Sequence, residues 1–301
     1  MTATPQPDAP APPATLASLV AEEAGAALAA ALAAALDQVA EALAEADAVE
    51  MVHDVRKALK GYRALLRLIP GPEAEAARAR ASDAARGLSA SRDRQAALDA
   101  LEALADAGLL PAKDAKAAAA VIAAQPDATE QATDQRVAIQ DFLDGARASL
   151  ADGLAAAARE ADVVAGLRQA YRRARAAPDW TRPEGLHALR KRVVAHRYQM
   201  DFCADFCGAG AKRARKAQRL RDILGIHQDL EALKPRLAAA LGTAQEALMS
   251  EVAAAIRALQ RRLVRQAKAG HARLFRAPAR AFAAKLARRM EDAGGSPPPA
   301  G

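Results

Sequence analysis

Between residues 15 and 293, apolar positions recur three and four residues apart. No stretch shows the β-branched, every-second-residue alternation that a strand requires. The pattern predicts an all-α protein. Helices are expected over about 15–46, 48–69, 73–88, 94–107, 112–124 and 130–160. The second half should hold helices over about 160–177, a helix reaching Cys207, one from Lys212 to Gly225, another beyond Leu230, and two closing helices near 243–269 and 272–293. Pro70-Gly71-Pro72, Ser89 to Asp93, Gly108, Gln125-Pro126-Asp127 and Pro178 to Pro183 mark the turns between them. Residues 1–14, rich in Pro and Ala, read as a disordered arm, and residues 294–301 as a disordered tail.

The helix over 48–69 has two faces of different chemistry. Val52, Val55, Leu59, Tyr62, Leu66 and Ile69 share one side, whereas His53, Arg56, Lys57, Lys60, Arg63 and Arg67 fall within an arc of about 120° on the other. Those cations extend along about 20 Å of helix. The pattern returns 134 residues later as His187-Ala188-Leu189-Arg190-Lys191-Arg192, continued by Arg197. Arg192 lies off the arc of its helix, so contact with another helix or with solvent is expected of it. The order of motif helix, break, helix, short polar break ending in Asp, helix also occurs twice, which points to an internal duplication with its boundary near 158–166. Asp93 and Asp229, at equivalent places, are expected to cap the helix that follows or to pair with a motif-helix arginine.

Charge sharpens this picture. The formal net charge is +7, but residues 1–159 hold 15 Lys and Arg against 23 Asp and Glu, and residues 160–301 hold 28 against 13. Eleven Lys and Arg and no acid lie between Glu251 and Glu291. This asymmetry implies an anionic partner, or pairing between the halves, beside the plainer reading of solvated helix faces. Aromatic residues make up only 3% of the chain, which leaves few stacking platforms for single-stranded nucleic acid.

The motif segments resemble the CHAD domain (conserved histidine α-helical domain) family. The first repeat carries Val52-His53-Asp54-Val55-Arg56-Lys57-Ala58-Leu59-Lys60 with Arg63, and Asp83 to Ser89 with Arg92-Asp93 is similar to the family's next segment. The second carries Gly166-Leu167, Tyr171-Arg172-Arg173 and Arg175, then Leu186 to Val193, then Leu224-Gly225 with Asp229-Leu230, with Ile223 where a leucine is commoner. The resemblance implies one CHAD domain over 15–293, with repeats over about 15–160 and 161–293. It implies two similar four-helix bundles that bind inorganic polyphosphate in a basic central groove or pore, with no cofactor. The ligand set it implies is His53, Arg56, Lys57, Lys60, Arg63 and Arg67 from the first repeat. From the second come His187, Arg190, Lys191 and Arg197, with Lys216 and Arg219 from the next helix. Three departures from the family pattern would each thin the cationic lining: Val194 and Ser82 where Lys and Arg are usual, and Gln228 where His usually precedes Asp229.

Polyphosphate has no base edge to read, so recognition must rest on charge, hydrogen bonds to phosphate oxygens and shape. His53 and His187 can add hydrogen bonds, and a polyanion favours the imidazolium. His196, His227 and His271 are expected to be structural or on the surface, and Trp180 to clamp a loop. Cys203 and Cys207 read as core thiols rather than a metal site. Glu73 and Glu75 do not make a triphosphate-cleaving site, and no phosphate-binding glycine loop or nucleophile motif occurs, so no catalysis is expected. The rival readings are nucleic-acid backbone binding and a phasin-like structural role on polyphosphate or polyester granules, using Ala/Leu helices such as 24–36. Residues 1–13 lack the pattern of a signal peptide and 24–36 are too few to span a bilayer, so a cytoplasmic, granule-associated protein is expected. The oligomeric state is left open.

Overall fold

The computed structural model describes residues 16–88, 92–124, 132–241 and 246–294, so the arm over 1–14 and the tail beyond 294 fall outside the described residues. Among the described residues there is no strand, and the chain is a succession of packed helices. The first half comprises α1 (Leu16–Leu43), α2 (Ala48–Leu65), a 3-10 turn (Leu66–Leu68), α3 (Pro72–Gly87), α4 (Arg92–Asp106) and α5 (Ala112–Ala123). Then come α6 (Ala132–Ser149), α7 (Ala155–Arg159), α8 (Val163–Arg175), α9 (Pro183–Cys207), α10 (Ala211–Leu241), α11 (Glu246–Leu274) and α12 (Ala279–Gly294). The expected helix over 130–160 bends through a π turn at Leu150–Leu154, where Gly153 takes a φ of 151°.

Two of the expected elements differ. The helix expected to stop at Gly225 continues through Gly225, Gln228-Asp229 and Pro235 as α10. Asp229 is therefore mid-helix and caps nothing. Burial of Leu224, Leu230, Leu233 and Leu237 outweighs the cost of about 1 kcal/mol that glycine brings to a helix interior. The last break falls at 275–278 rather than near 270, because His271, Leu274 and Phe275 are all buried and extend α11 to Leu274.

The core forms two clusters that do not follow the halves of the sequence. The larger takes side chains from α1, α2, α3, α6, α8, α9, the start of α10, the end of α11 and α12. The smaller lies between α4, α5, the second half of α10 and the first half of α11. Thus α4 and α5, from the first half of the chain, pack on helices of the second, across the boundary read at 158–166. Helix α1 is long and apolar enough over Leu19–Leu43 to cross a membrane by length and composition, a longer run than 24–36. Here Leu28, Leu32, Leu36 and Val39 are buried in the larger core.

Several arginines close this fold by donating to the free carbonyls at other helices' C-termini, where the helix dipole also favours a cation. Arg136 donates to Leu43 and Glu45 at the end of α1. Arg192 reaches the Arg173 carbonyl at 2.7 Å at the end of α8. Arg213 reaches that of Leu274 at 2.6 Å at the end of α11. Arg192 thus makes the inter-helix contact expected of a residue off the ligand arc.

Gly166 sits where α8 meets the 3-10 turn, and a Cβ there would lie 2.7 Å from the Leu68 carbonyl oxygen. Gly166→Ala is expected to lower stability by about 1–3 kcal/mol despite alanine's better helix propensity. Urea unfolding reads the sign directly.

His196 is buried against Tyr171, Phe275 and Phe282. Burial, with the nearby Arg213 charge, pushes its pKa from 6.5 down to about 3. The unfolded chain thus binds the proton that the folded chain refuses. The contribution of neutral His196 is whole above pH 6.5 and is lost as pH falls from there toward about 3. The expected slope is up to about 1.4 kcal/mol per pH unit, and His196→Leu should flatten it in denaturant titrations from pH 7 to 4.

Candidate anion-binding cavity

The two motif helices, α2 and α9, cross in direct contact. The Tyr198 hydroxyl donates to the Lys57 carbonyl at 3.2 Å, and the Gln199 amide donates to the Ala64 carbonyl at 3.0 Å. Gly61 lies against the Tyr198 ring, at 3.5 Å from the position a Cβ would take. The crossing holds the polar faces of both helices along one cavity of about 320 Å³, near the small end of ligand pockets. It opens where the two cores meet and is lined by α2 with Arg67 of the 3-10 turn, by α9, by Ala96 of α4, and by Arg221, Gln228, Asp229 and Ala232 of α10.

Seven cations line this cavity: Arg56, Lys60, Arg63, Arg67, Arg190, Lys191 and Arg221. His187 joins them, and Asp229 is the one carboxylate in the lining. Burial lowers the pKa of Arg63, and neighbouring Arg86 lowers it further. The same holds at Arg67, where burial acts first and Arg78, Arg63 and Arg173 add repulsion. A guanidinium does not lose its proton under such pressure, so the crowding is held as electrostatic potential that an anion relieves.

Not every cation is equally free to move. Arg56 donates to the carbonyls of Ala85 and Leu88, at 3.3 and 3.0 Å, which ties α2 to the end of α3. On the opposite wall, the Gln228 side-chain oxygen accepts from His187 Nδ1 at 2.8 Å and from Arg190 at 3.2 Å. That oxygen cannot donate, so His187 Nδ1–H is the donor of this pair, and Nε2 donates to a phosphate oxygen in the imidazolium form that a polyanion favours. Gln228 therefore orients two ligand-facing groups, beyond the loss of charge expected from its replacing histidine. Gln228→Leu is expected to weaken phosphate-chain binding about tenfold, at the scale of one charge-assisted hydrogen bond. Calorimetric titration checks it.

The other residues of the implied ligand set lie elsewhere. His53 stands exposed one turn before Arg56, on the same face but outside the cavity lining. Lys57 turns toward α1, 3.7 Å from Asp54 and beside Glu41 and Glu45, because it sits about 100° round the helix from Arg56. Arg197 lies over the Tyr198 ring at 4.7 Å and pairs with Asp201 at 3.4 Å. Lys216 and Arg219 are exposed on a different side of α10, about 140° and 200° from Arg221. Arg221 faces the cavity in their place. The signal for it was present in the sequence: Arg221, Gln228, Asp229 and Ala232 keep one face once α10 is read as continuous.

Of the three departures, Val194 lines the cavity as an apolar wall, and Ser82 points back to the Arg78 carbonyl at 2.7 Å. His227 and His271 are buried, as is Cys203, whereas Cys207 is half-buried. Trp180 packs edge-on against His271 at 5.7 Å, in keeping with a loop clamp. Among the described residues, no group of three or more His, Cys, Asp or Glu is placed to hold a metal ion.

The CHAD domain family model matches residues 26–238, more than two thirds of the chain. The chain belongs to the CHAD domain family, a family linked to polyphosphate binding. No curated protein and no solved structure matches it.

Proposed function

We propose that this protein binds inorganic polyphosphate, without cleaving it, in the cavity between α2, α9 and α10. The observation that carries the reading is the cavity lining itself: seven cations converge with one carboxylate, six of the cations from the two segments that share the His-x-x-Arg-Lys pattern and Arg221 from α10. Lys60 and Arg63 of α2 with Arg67 of the 3-10 turn present ammonium and forked guanidinium donors along one edge, suited to successive phosphates of one chain. His187 and Arg190, oriented by Gln228, face them from α9.

Family membership adds the ligand's chemistry to what geometry alone supports, an anion. Retention without hydrolysis fits a role in holding the protein on polyphosphate granules in the cytoplasm. The test is a titration with long-chain polyphosphate at about 150 mM salt, where surface attraction is largely screened, with duplex DNA and RNA as competitors. Tight binding that both competitors leave in place, with no free phosphate released on incubation, supports the proposal. Ready displacement by nucleic acid, or phosphate release, contradicts it.

A further inference from the structure

A second basic concavity is lined by the start of α9, by α10 and by α11. Arg257, Arg261 and Arg265 stand at i, i+4 and i+8 on α11, all exposed, and line a groove of about 450 Å³ with Trp180, His227 and Glu231. The three guanidiniums follow one helix edge for about 12 Å. None of them makes a hydrogen bond or ion pair among the described residues. The one acid in the groove, Glu231, is already taken: Lys234 donates to it at 2.7 Å, and the Gln260 amide donates to the same oxygen. Arginines left without acids in this way present net positive charge to the groove.

The groove and the first cavity share the α9–α10 wall. His187 and Gln228 face the cavity, and their sequence neighbours Leu186 and His227 face the groove. The arginines come from α11, beyond the segment that the family model matches. We infer that this groove is a second binding site for a phosphate chain, making the protein bivalent toward polyphosphate. This rests on the proposed function of the cavity. A chain of phosphates is favoured over single-stranded nucleic acid because the groove's one indole is half-buried, edge-on to His271, with Lys268 5.8 Å above its ring. With a lysine over the ring and His271 at right angles to it, this lone indole is a poor stacking platform for a base. Two sites on separate faces let one molecule join two chains, or hold two stretches of one chain and gain avidity.

The test counts sites with a short oligophosphate by calorimetry at about 150 mM salt. Three proteins are compared: the full chain, the groove variant Arg257→Ala/Arg261→Ala/Arg265→Ala, and the cavity variant Lys60→Gln/Arg63→Gln/Arg67→Gln. Circular dichroism confirms that each is folded. Two ligands per chain are expected for the unaltered protein and one for each variant, and light scattering with long-chain polyphosphate should show cross-linked particles that the groove variant fails to form. A single site that the groove variant retains unchanged overturns the inference and leaves the cavity reading intact. Two sites that the cavity variant also retains would instead sink the cavity reading. A groove that takes a single-stranded oligonucleotide but not oligophosphate overturns the ligand assignment.

Discussion

Replacing Lys60, Arg63 and Arg67 together with glutamine is expected to weaken polyphosphate binding at the cavity by a hundredfold or more. Each is a charge-assisted donor in the lining, and such bonds contribute about 1.5–3 kcal/mol apiece where water is partly excluded. Three removed together lose some of that to the remaining cations, which reposition, so the estimate is set well below the simple sum. The dependence of affinity on salt should also become shallower, since fewer counterions are released when fewer phosphates are neutralised. Helicity and unfolding midpoint should hold or rise slightly, because crowded like charges have been removed. Arg56 is left out of this set deliberately. Its bonds to Ala85 and Leu88 make it a structural tie, and its loss would confound binding with folding.

The second large effect concerns the seam that fastens α12 to the rest of the domain. Tyr171 is fully buried, stacked on Phe282 at 4.0 Å between ring centroids and edge-on to Phe275 at 5.3 Å. Its hydroxyl donates to the Ala277 carbonyl at 2.9 Å, in the turn before α12. Arg213 covers both the Tyr171 and Phe282 rings, at 5.3 and 5.1 Å. Tyr171→Ala is expected to cost about 3–5 kcal/mol, the range for emptying a buried aromatic site. Tyr171→Phe removes only the hydrogen bond and should cost about 1 kcal/mol. Urea titrations of both variants separate packing from hydrogen bonding, and a loss of less than about 1 kcal/mol in the alanine variant would mean that the seam contributes little.

The α2 face was readable because one helix carries both halves of the signal. Leu59 and Tyr62 go to the core, and Lys60, Arg63 and Arg67 go to the cavity, as a period of 3.6 requires. The same periodicity could not separate Arg56 from Lys57. Both lie within the polar arc, and only the position of α1, with Glu41 and Glu45, draws Lys57 away from the cavity. On α10 the expected helix end differs from the structure for a local reason. Gly225 and the polar Gln228-Asp229 look like a break, which hid that Arg221 shares a face with Gln228 and Asp229, while the resemblance alone pointed to Lys216 and Arg219. Propensity is a weak guide when leucines on both sides are buried.

The role of Gln228 was equally hidden, since composition shows a lost charge while the fold shows a shared acceptor for His187 and Arg190. The arginines that close helix ends were out of reach too. Arg136 and Arg213 bind carbonyls more than sixty residues away, and nothing in their own neighbourhood distinguishes them from solvent-facing cations.

The most direct test of the central claim is a crystal structure of the full chain grown with polyphosphate. Electron density for consecutive phosphates between Lys60, Arg63 and Arg67 on one side and His187 and Arg190 on the other is the predicted result. Phosphate density confined to outer helix faces, with the cavity holding only water in a crystal saturated with ligand, would contradict it.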